Sequence, residues 1–375
     1  MSEFYKRARG FSEKNILPYA KEIDEKKVFP EETFKQMGKE GYFKLLIPQE
    51  YGGQGKTLAE HADVCRGFAE TCATAGLCYM MHNVASMCVL AFGSEELKTR
   101  IFKDVVENEK FLALAYSEFG TGTHFYIPEI KAQYNGDEVT FNGSKSMVTS
   151  ATYASYYLVL APSQKEGAID NWVFPLETQG VEFLMDGWNG MGMRGNVSCP
   201  MKFTNAKLKK EWRIGEEGSG LDQVFQVVAP FFVTGLAAVY TGVSSNILAE
   251  ATKHAKERVY PSGQALCEIE TVQIHLSNIY ARTNASILGV NEAARAGVAG
   301  DEDALAKILS ARIFASESAI ENARLGMRIG GGKAYNKQGV MERLLRDSYA
   351  GQIMAPSVDV LHTWLGKAIT GQDLV

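Results

Sequence analysis

The spacing of apolar residues changes character twice along the chain. Up to about residue 112 they recur at the three- and four-residue steps of amphipathic helices, and two helix starts are marked: Pro30 ahead of Glu31 and Glu32, and Ser94 ahead of Glu95 and Glu96. The Gly-rich stretch from Pro48 to Gly55 reads as a loop. From about 113 to 217, short β-branched and aromatic runs take over (Val139 to Phe141, Tyr156 to Leu160, Trp172 to Phe174), divided by Gly, Asn and Pro. After Gly218-Ser219-Gly220 the helical period returns. Ile269, Val272, Leu276, Ile279, Thr283, Ile287 and Val290 step by three and four, and Leu305, Ile308, Leu309 and Ile313 follow Asp301 as an expected cap. The pattern predicts an α+β chain with a helical domain over 1–112, a small β-barrel-like domain over 113–217 and a four-helix bundle over 218–375. Helices, then strands, then helices is not βαβ alternation, so a doubly wound dinucleotide fold is excluded. Gly330-Gly331-Gly332 follows a helix instead of opening one and reads as a helix end.

Composition narrows the chemistry. Of 375 residues, 46% are hydrophobic and 22% charged, the profile of a packed globular protein. Lys plus Arg number 39 against 44 Asp plus Glu, so the basic footprint of a nucleic-acid binder is missing and small-molecule chemistry is expected. The apolar run 227–242 is short and interrupted by Pro230, which predicts a buried helix rather than a membrane span. The charged N-terminus carries no apolar targeting segment, so a cytoplasmic protein is expected. Six cysteines without a CxxC pair predict reduced core thiols. Cys78 and His82 stand at i, i+4, but two ligands are too few for zinc, and no metal is expected.

Several strings, taken in order, resemble the acyl-CoA dehydrogenase family over essentially the whole chain. They are Pro48-x-x-Tyr51-Gly52-Gly53-x-Gly55, the loop Ser117-Glu118-Phe119-Gly120-Thr121-Gly122-Thr123-His124, the strand Asn142 to Ser150, the turn Met193-Arg194-Gly195, Arg258, and Gly331-Gly332-x-x-Tyr335 through Glu342-Arg343-Leu344-Leu345-Arg346-Asp347. The resemblance implies a homotetrameric FAD flavoprotein acting on acyl-CoA, with an electron-transfer flavoprotein or similar electron partner. It implies that Tyr116, Ser117, Gly122 and Thr123 line the flavin and the start of the thioester site. Met147, Thr149 and Ser150 face the isoalloxazine, and Arg258, Arg328, Gly331 and Gly332 meet the pyrophosphate half across a dimer interface. An arginine fork suits a pyrophosphate, and glycines admit its close approach. An apolar, aromatic-rich acyl pocket is expected from Tyr79, Met80, Met81, Phe231, Phe232, Tyr240 and Met354.

The pattern departs from the family at the group that takes the substrate α-proton. The usual glutamate position falls on Ala355, and the alternative position on the first bundle helix falls in Val227-Val228-Ala229-Pro230. A methyl group cannot take a proton. Met147 stands for the usual tryptophan, Thr123-His124 for Ser-Asp and Arg328 for a glutamine. Substitute bases are sought at His82, whose imidazole titrates nearest working pH, and at Glu118 and Asp359. The sequence leaves open an oxidoreductase on an unusual acyl-CoA with its base relocated, a flavin monooxygenase or non-oxidative lyase of the same fold, and a catalytically silent partner subunit.

Overall fold

The computed structural model describes residues 2–337 and 339–375. The N-terminal third consists of helices α1 (Glu3–Asn15), α2 (Ala20–Lys26), α3 (Glu31–Lys39), α4 (Leu58–Ala69), α5 (Ala73–Phe92) and α6 (Glu95–Glu107). Their starts follow from local chemistry. At α4, Thr57 and Glu60 form a reciprocal capping box, and at α6 the Ser94 hydroxyl accepts from the Leu97 N–H. Helix α5 is buried for most of its length and forms the centre of this layer.

The middle region holds β1 (Leu112–Ala115), β2 (Lys131–Asn135), β3 (Glu138–Val148), β4 (Tyr156–Pro162), β5 (Ile169–Pro175), β6 (Val181–Phe183), β7 (Cys199–Lys209) and β8 (Arg213–Ile214). They form two four-stranded sheets, ordered β1-β4-β5-β8 and β2-β3-β7-β6, with only β1 and β4 parallel. The sheets lock through inward aromatics. Phe141 of β3 meets Trp172 and Phe174 of β5 at 5.1 and 5.0 Å, and Phe174 meets Phe203 of β7 at 5.0 Å.

The C-terminal region is α7 (Gly220–Gln223), α8 (Ala229–Glu257), α9 (Glu270–Ala299), α10 (Ala304–Ala334), α11 (Val340–Ile353) and α12 (Val358–Ile369). Three details differ from the sequence expectation. Pro230 does not interrupt its helix: a π segment, Val224–Val228, joins α7 to α8, and Pro230 lies in the first turn of α8. A wide turn rearranges the backbone pairing where proline has no N–H to give. Asp301 is not the cap of α10. Asp303 holds that position, while the Asp301 carboxylate pairs with Arg295 and Lys307. At Gly331, φ of 54° and ψ of −138° break α10 internally, a conformation that favours glycine. Ala73–Phe92 and the continuous helix Gly220–Glu257 are long and apolar enough to cross a membrane, but both are mostly buried within the fold as core helices.

Candidate active site

A cavity of about 460 Å³ opens between the β domain and the C-terminal helices. One wall comes from β1 and the loop after it (Leu114, Tyr116, Ser117, Glu118, Gly122, Phe125) and from the end of β3 (Ser146, Met147, Thr149). Val228 of the π segment, Ala229 and Phe232 of α8, Met81 of α5, and Arg346, Tyr349 and Ala350 of α11 form the opposite wall, which continues through Ile353 to Pro356. The turn from Trp188 to Ser198 closes a third side.

That turn is clamped onto α11. The Asp347 carboxylate accepts the Met193 N–H at 2.7 Å, holding Met193 in the left-handed region at φ 50°. At Gly192 a Cβ would meet the Arg346 carbonyl oxygen at 2.3 Å, so only glycine lets the two backbones approach. Arg346 forks onto Asp24 at 2.6 and 2.9 Å and onto Glu342 at 2.6 and 2.9 Å, so its charge is spent inside the scaffold. Burial raises the Asp347 carboxyl to about 6, against the Met193 N–H and the Arg343 charge, which both favour the ionised form.

Glu118 is the cavity's one lining carboxylate, and it is engaged from every side. Its Oε1 lies 2.5 Å from the buried Lys145 ammonium, and its Oε2 accepts the Glu129 and Ile130 N–H groups at 2.9 and 3.1 Å. Burial pulls the Lys145 amine down to about 8 even with Glu118 holding its proton on. The pair therefore acts as a buried tie for the loop, and Glu118 is not free to serve as a base.

The other two expected bases lie off the cavity. His82 is fully buried: its Nε2 lies 2.7 Å from the Phe43 carbonyl oxygen, and the Leu112 N–H reaches its Nδ1 at 3.1 Å. With one ring nitrogen donating and the other accepting, the imidazole is neutral, and burial pulls its pKa down to about 4. It pins the 43–47 loop and β1 to α5. Asp359 stands exposed in the first turn of α12, away from the lining, whereas Ala355 itself is on the wall.

The remaining expected residues divide in the same way. Tyr116, Ser117, Gly122, Met147 and Thr149 line the cavity, as do Met81, Phe232 and Met354. Thr123 and the buried Ser150 are next to lining residues but do not line it. Tyr79, Met80 and Tyr240 are core residues; the Tyr79 hydroxyl reaches the Tyr42 carbonyl oxygen at 3.2 Å. Phe231 turns away to pack on His61 at 6.0 Å. Arg258, Arg328, Gly331 and Gly332 are exposed at the ends of α8 and α10 and do not reach the cavity from within this chain. Lys333 and Arg258 together hold His254 below its usual range, after burial, so a basic patch exists there.

Among the lining residues outside the sequence reading, four carry polar or aromatic groups of particular interest. Asn196 and Ser198 accompany Thr149, whose hydroxyl lies 3.1 Å from that of Ser198. Phe125 contributes an apolar ring, and Tyr349 a phenol. Arg346, Tyr349 and Ile353 follow one another at three and four residues, the helical spacing that could have found Tyr349. Its hydroxyl has no hydrogen-bond partner among the described residues.

The cavity's chemistry suits a flavin ring. Its mouth carries apolar side chains that a monomer rarely leaves bare, Met147 at 54%, Met191 at 56% and Ile353 at 77% exposed, beside a hydroxyl and amide edge of Thr149, Ser198 and Asn196. A tricycle with apolar faces and a polar rim needs both.

A helix layer, a two-sheet middle and a helical bundle enclose this cavity. Three family models match in order: the acyl-CoA dehydrogenase N-terminal domain over residues 2–109, the middle domain over 113–206 and the C-terminal domain over 233–369. The chain is 30% identical to a 3-(aryl)acrylate reductase of Clostridium sporogenes, covering 91% of each, and 28% identical to a cyclohex-1-ene-1-carbonyl-CoA dehydrogenase of Geobacter metallireducens, covering 96% and 95%. Its fold superposes on butyryl-CoA dehydrogenase from Megasphaera elsdenii with a TM-score of 0.92 at 24% identity, covering 99% of each chain. The chain belongs to the acyl-CoA dehydrogenase family, FAD flavoproteins that act on CH–CH groups.

Proposed function

We propose that this chain is an FAD-dependent reductase of α,β-unsaturated acyl-CoA thioesters. The observation that carries the reading is the lack of a free carboxylate on the described lining. Ala355 and Ala229 present methyl groups, and Glu118 is tied to Lys145 and two backbone N–H groups. Oxidising a saturated thioester requires a base to remove an α-proton. Reduction leaves an electron-rich α-carbon that a weak acid can protonate. Tyr349 lines the cavity, is 44% exposed and has no hydrogen-bond partner among the described residues, so its hydroxyl is placed to donate. Tyr349 Oη gives the α-carbon its proton and is reprotonated from solvent. The similarity to a reductase of aryl acrylates agrees with this direction.

FAD, when bound, supplies the redox equivalent. Thr149, Ser198 and Asn196 would hold its ring edge, with Met147 against a face. Arg258 and Arg328, placed beyond reach of their own cavity, would hold the pyrophosphate of a neighbouring subunit's FAD within a homotetramer. Exposed Ile274, Tyr280 and Leu288 on α9 offer apolar surface for that assembly. Electrons would come from an electron-transfer flavoprotein or a similar partner.

The test is anaerobic. FAD-loaded protein reduced with dithionite should regain its flavin colour on mixing with 2-enoyl-CoA thioesters, while oxidised protein should be bleached negligibly by butyryl-CoA or octanoyl-CoA. Brisk bleaching by the saturated thioesters, with no reoxidation by any enoyl thioester, would overturn the proposal.

A further inference from the structure

Resting on the reductase reading, we infer that the acyl group the cavity selects is aromatic: a planar aryl ring conjugated to the thioester's double bond, seated against Phe125 and Tyr116 and flanked by Met81 and Met354.

Phe125 and Tyr116 both line the cavity with nearly parallel rings, 14° apart in plane and 6.3 Å between centroids, and both are buried. Neither can move freely. Asn171 Nδ2 donates to the Tyr116 hydroxyl at 2.6 Å. Phe125 stands edge-on to Tyr126 at 5.5 Å, Tyr126 meets Phe225 of the π segment at 6.1 Å, and Phe225 meets Trp364 of α12 at 5.6 Å. This ladder staples the loop after β1 to the helical domain, so the aromatic wall is preorganised and binding spends little on ordering it.

Sulfur supplies the second argument. Besides Met147 and Met191 at the mouth that suits the flavin, three more of the chain's thirteen methionines, at 81, 193 and 354, line this one cavity. A thioether packs on any apolar group, but it gains more against an aromatic ring, whose edge it approaches favourably. A flexible alkyl chain collects only area and gives up rotamer freedom on binding, whereas a conjugated aryl acyl group arrives flat and stiff. Charge disfavours a dicarboxylic acyl group. The lining's two ionic side chains, Glu118 and Arg346, are both neutralised by their own partners, so an acyl group with a second carboxylate finds no counter-ion.

The experiment is a titration of the oxidised, FAD-loaded protein with cinnamoyl-CoA and with trans-2-octenoyl-CoA, read by the flavin absorption shift and by the rise in Tm, neither of which requires turnover. Cinnamoyl-CoA is expected to bind at least tenfold more tightly, and Phe125→Leu should shrink that preference below threefold. If that variant fails to fold, the volume-conserving Met81→Leu and Met354→Leu pair provides the same readout. Equal or tighter binding of octenoyl-CoA by the wild-type protein overturns the inference. Its failure is distinguishable from failure of the reductase reading. Reoxidation of reduced flavin by octenoyl-CoA without cinnamoyl preference removes the aryl inference alone, and tight cinnamoyl binding without reoxidation removes the reductive direction alone.

Discussion

Helices α5 and α11 both border the candidate cavity, and each carries a side chain of the kind that proton chemistry uses. On α5, His82 has the more favourable intrinsic pKa, yet both its ring nitrogens are occupied by the backbone at Phe43 and Leu112. On α11, the Tyr349 hydroxyl has no hydrogen-bond partner among the described residues, and the residue is 44% exposed. The difference teaches that unspent hydrogen-bonding capacity, more than residue type, separates a reacting group from a structural one.

The largest effect that would break this comparison is on turnover. Tyr349→Phe should lower the rate of enoyl-thioester reduction by roughly 10²-fold or more, in the range one acid–base group supplies, while flavin content and thioester affinity stay near wild type. Stopped-flow reoxidation of the reduced protein checks this, and an unchanged rate would return proton delivery to solvent. Next comes His82→Ala, expected to cost about 3 kcal/mol of stability in denaturant unfolding, because it leaves a buried carbonyl and a buried N–H without partners and opens a void. Activity per folded molecule should fall little. A collapse in turnover with unchanged stability would reverse the roles of the two helices.

A subtler consequence is a pair of opposite pH slopes. The folded His82 pKa, about 4, is below the unfolded value, so its contribution is fully present above about 6.5 and is lost as pH falls towards 4. The folded Asp347 pKa, about 6, is above the unfolded value, so stability falls as pH rises from about 4 to 6 and the carboxylate is ionised while buried. His82→Ala should therefore remove a rising limb between pH 4 and 6, and Asp347→Asn a falling one, each by up to about 1.4 kcal/mol per pH unit. Unfolding titrations at several pH values read both. The smallest expected change is a gain: Ala355→Glu should give detectable bleaching by butyryl-CoA, limited by Pro356, which fixes the backbone that aims the new carboxylate.

Much of this was legible in the sequence, and the failures share a cause. The capping signals and the change from helical to alternating spacing located the main elements, and the loop and strand strings named one wall of the cavity. The reading faltered where neighbours in sequence diverge in space. Tyr79, Met80, Met81 and His82 are consecutive, but each helical residue turns by about 100°, so Met81 reaches the cavity while the other three face the core. Phe231 and Phe232 separate for the same reason. Asp359 follows Ala355 by four residues, a helical step, but the structure has a link between α11 and α12 over 354–357, so the two do not share a helix face. Tyr349 escaped notice because a half-exposed tyrosine on an amphipathic helix looks like ordinary surface until the cavity beside it is seen.

The π segment at Val224–Val228 bears on how such a wall can change over generations. A turn of that width accommodates one residue more than an α-helix needs. Because the extra residue is taken up within the turn, the helical turns on either side stay in register, and loss of a single codon there would close the segment into regular α geometry with Phe232 still facing the cavity. Phe225 lies inside the segment, so the change would fall on the rung that meets Trp364 and leave the lining side chains of α8 as they are.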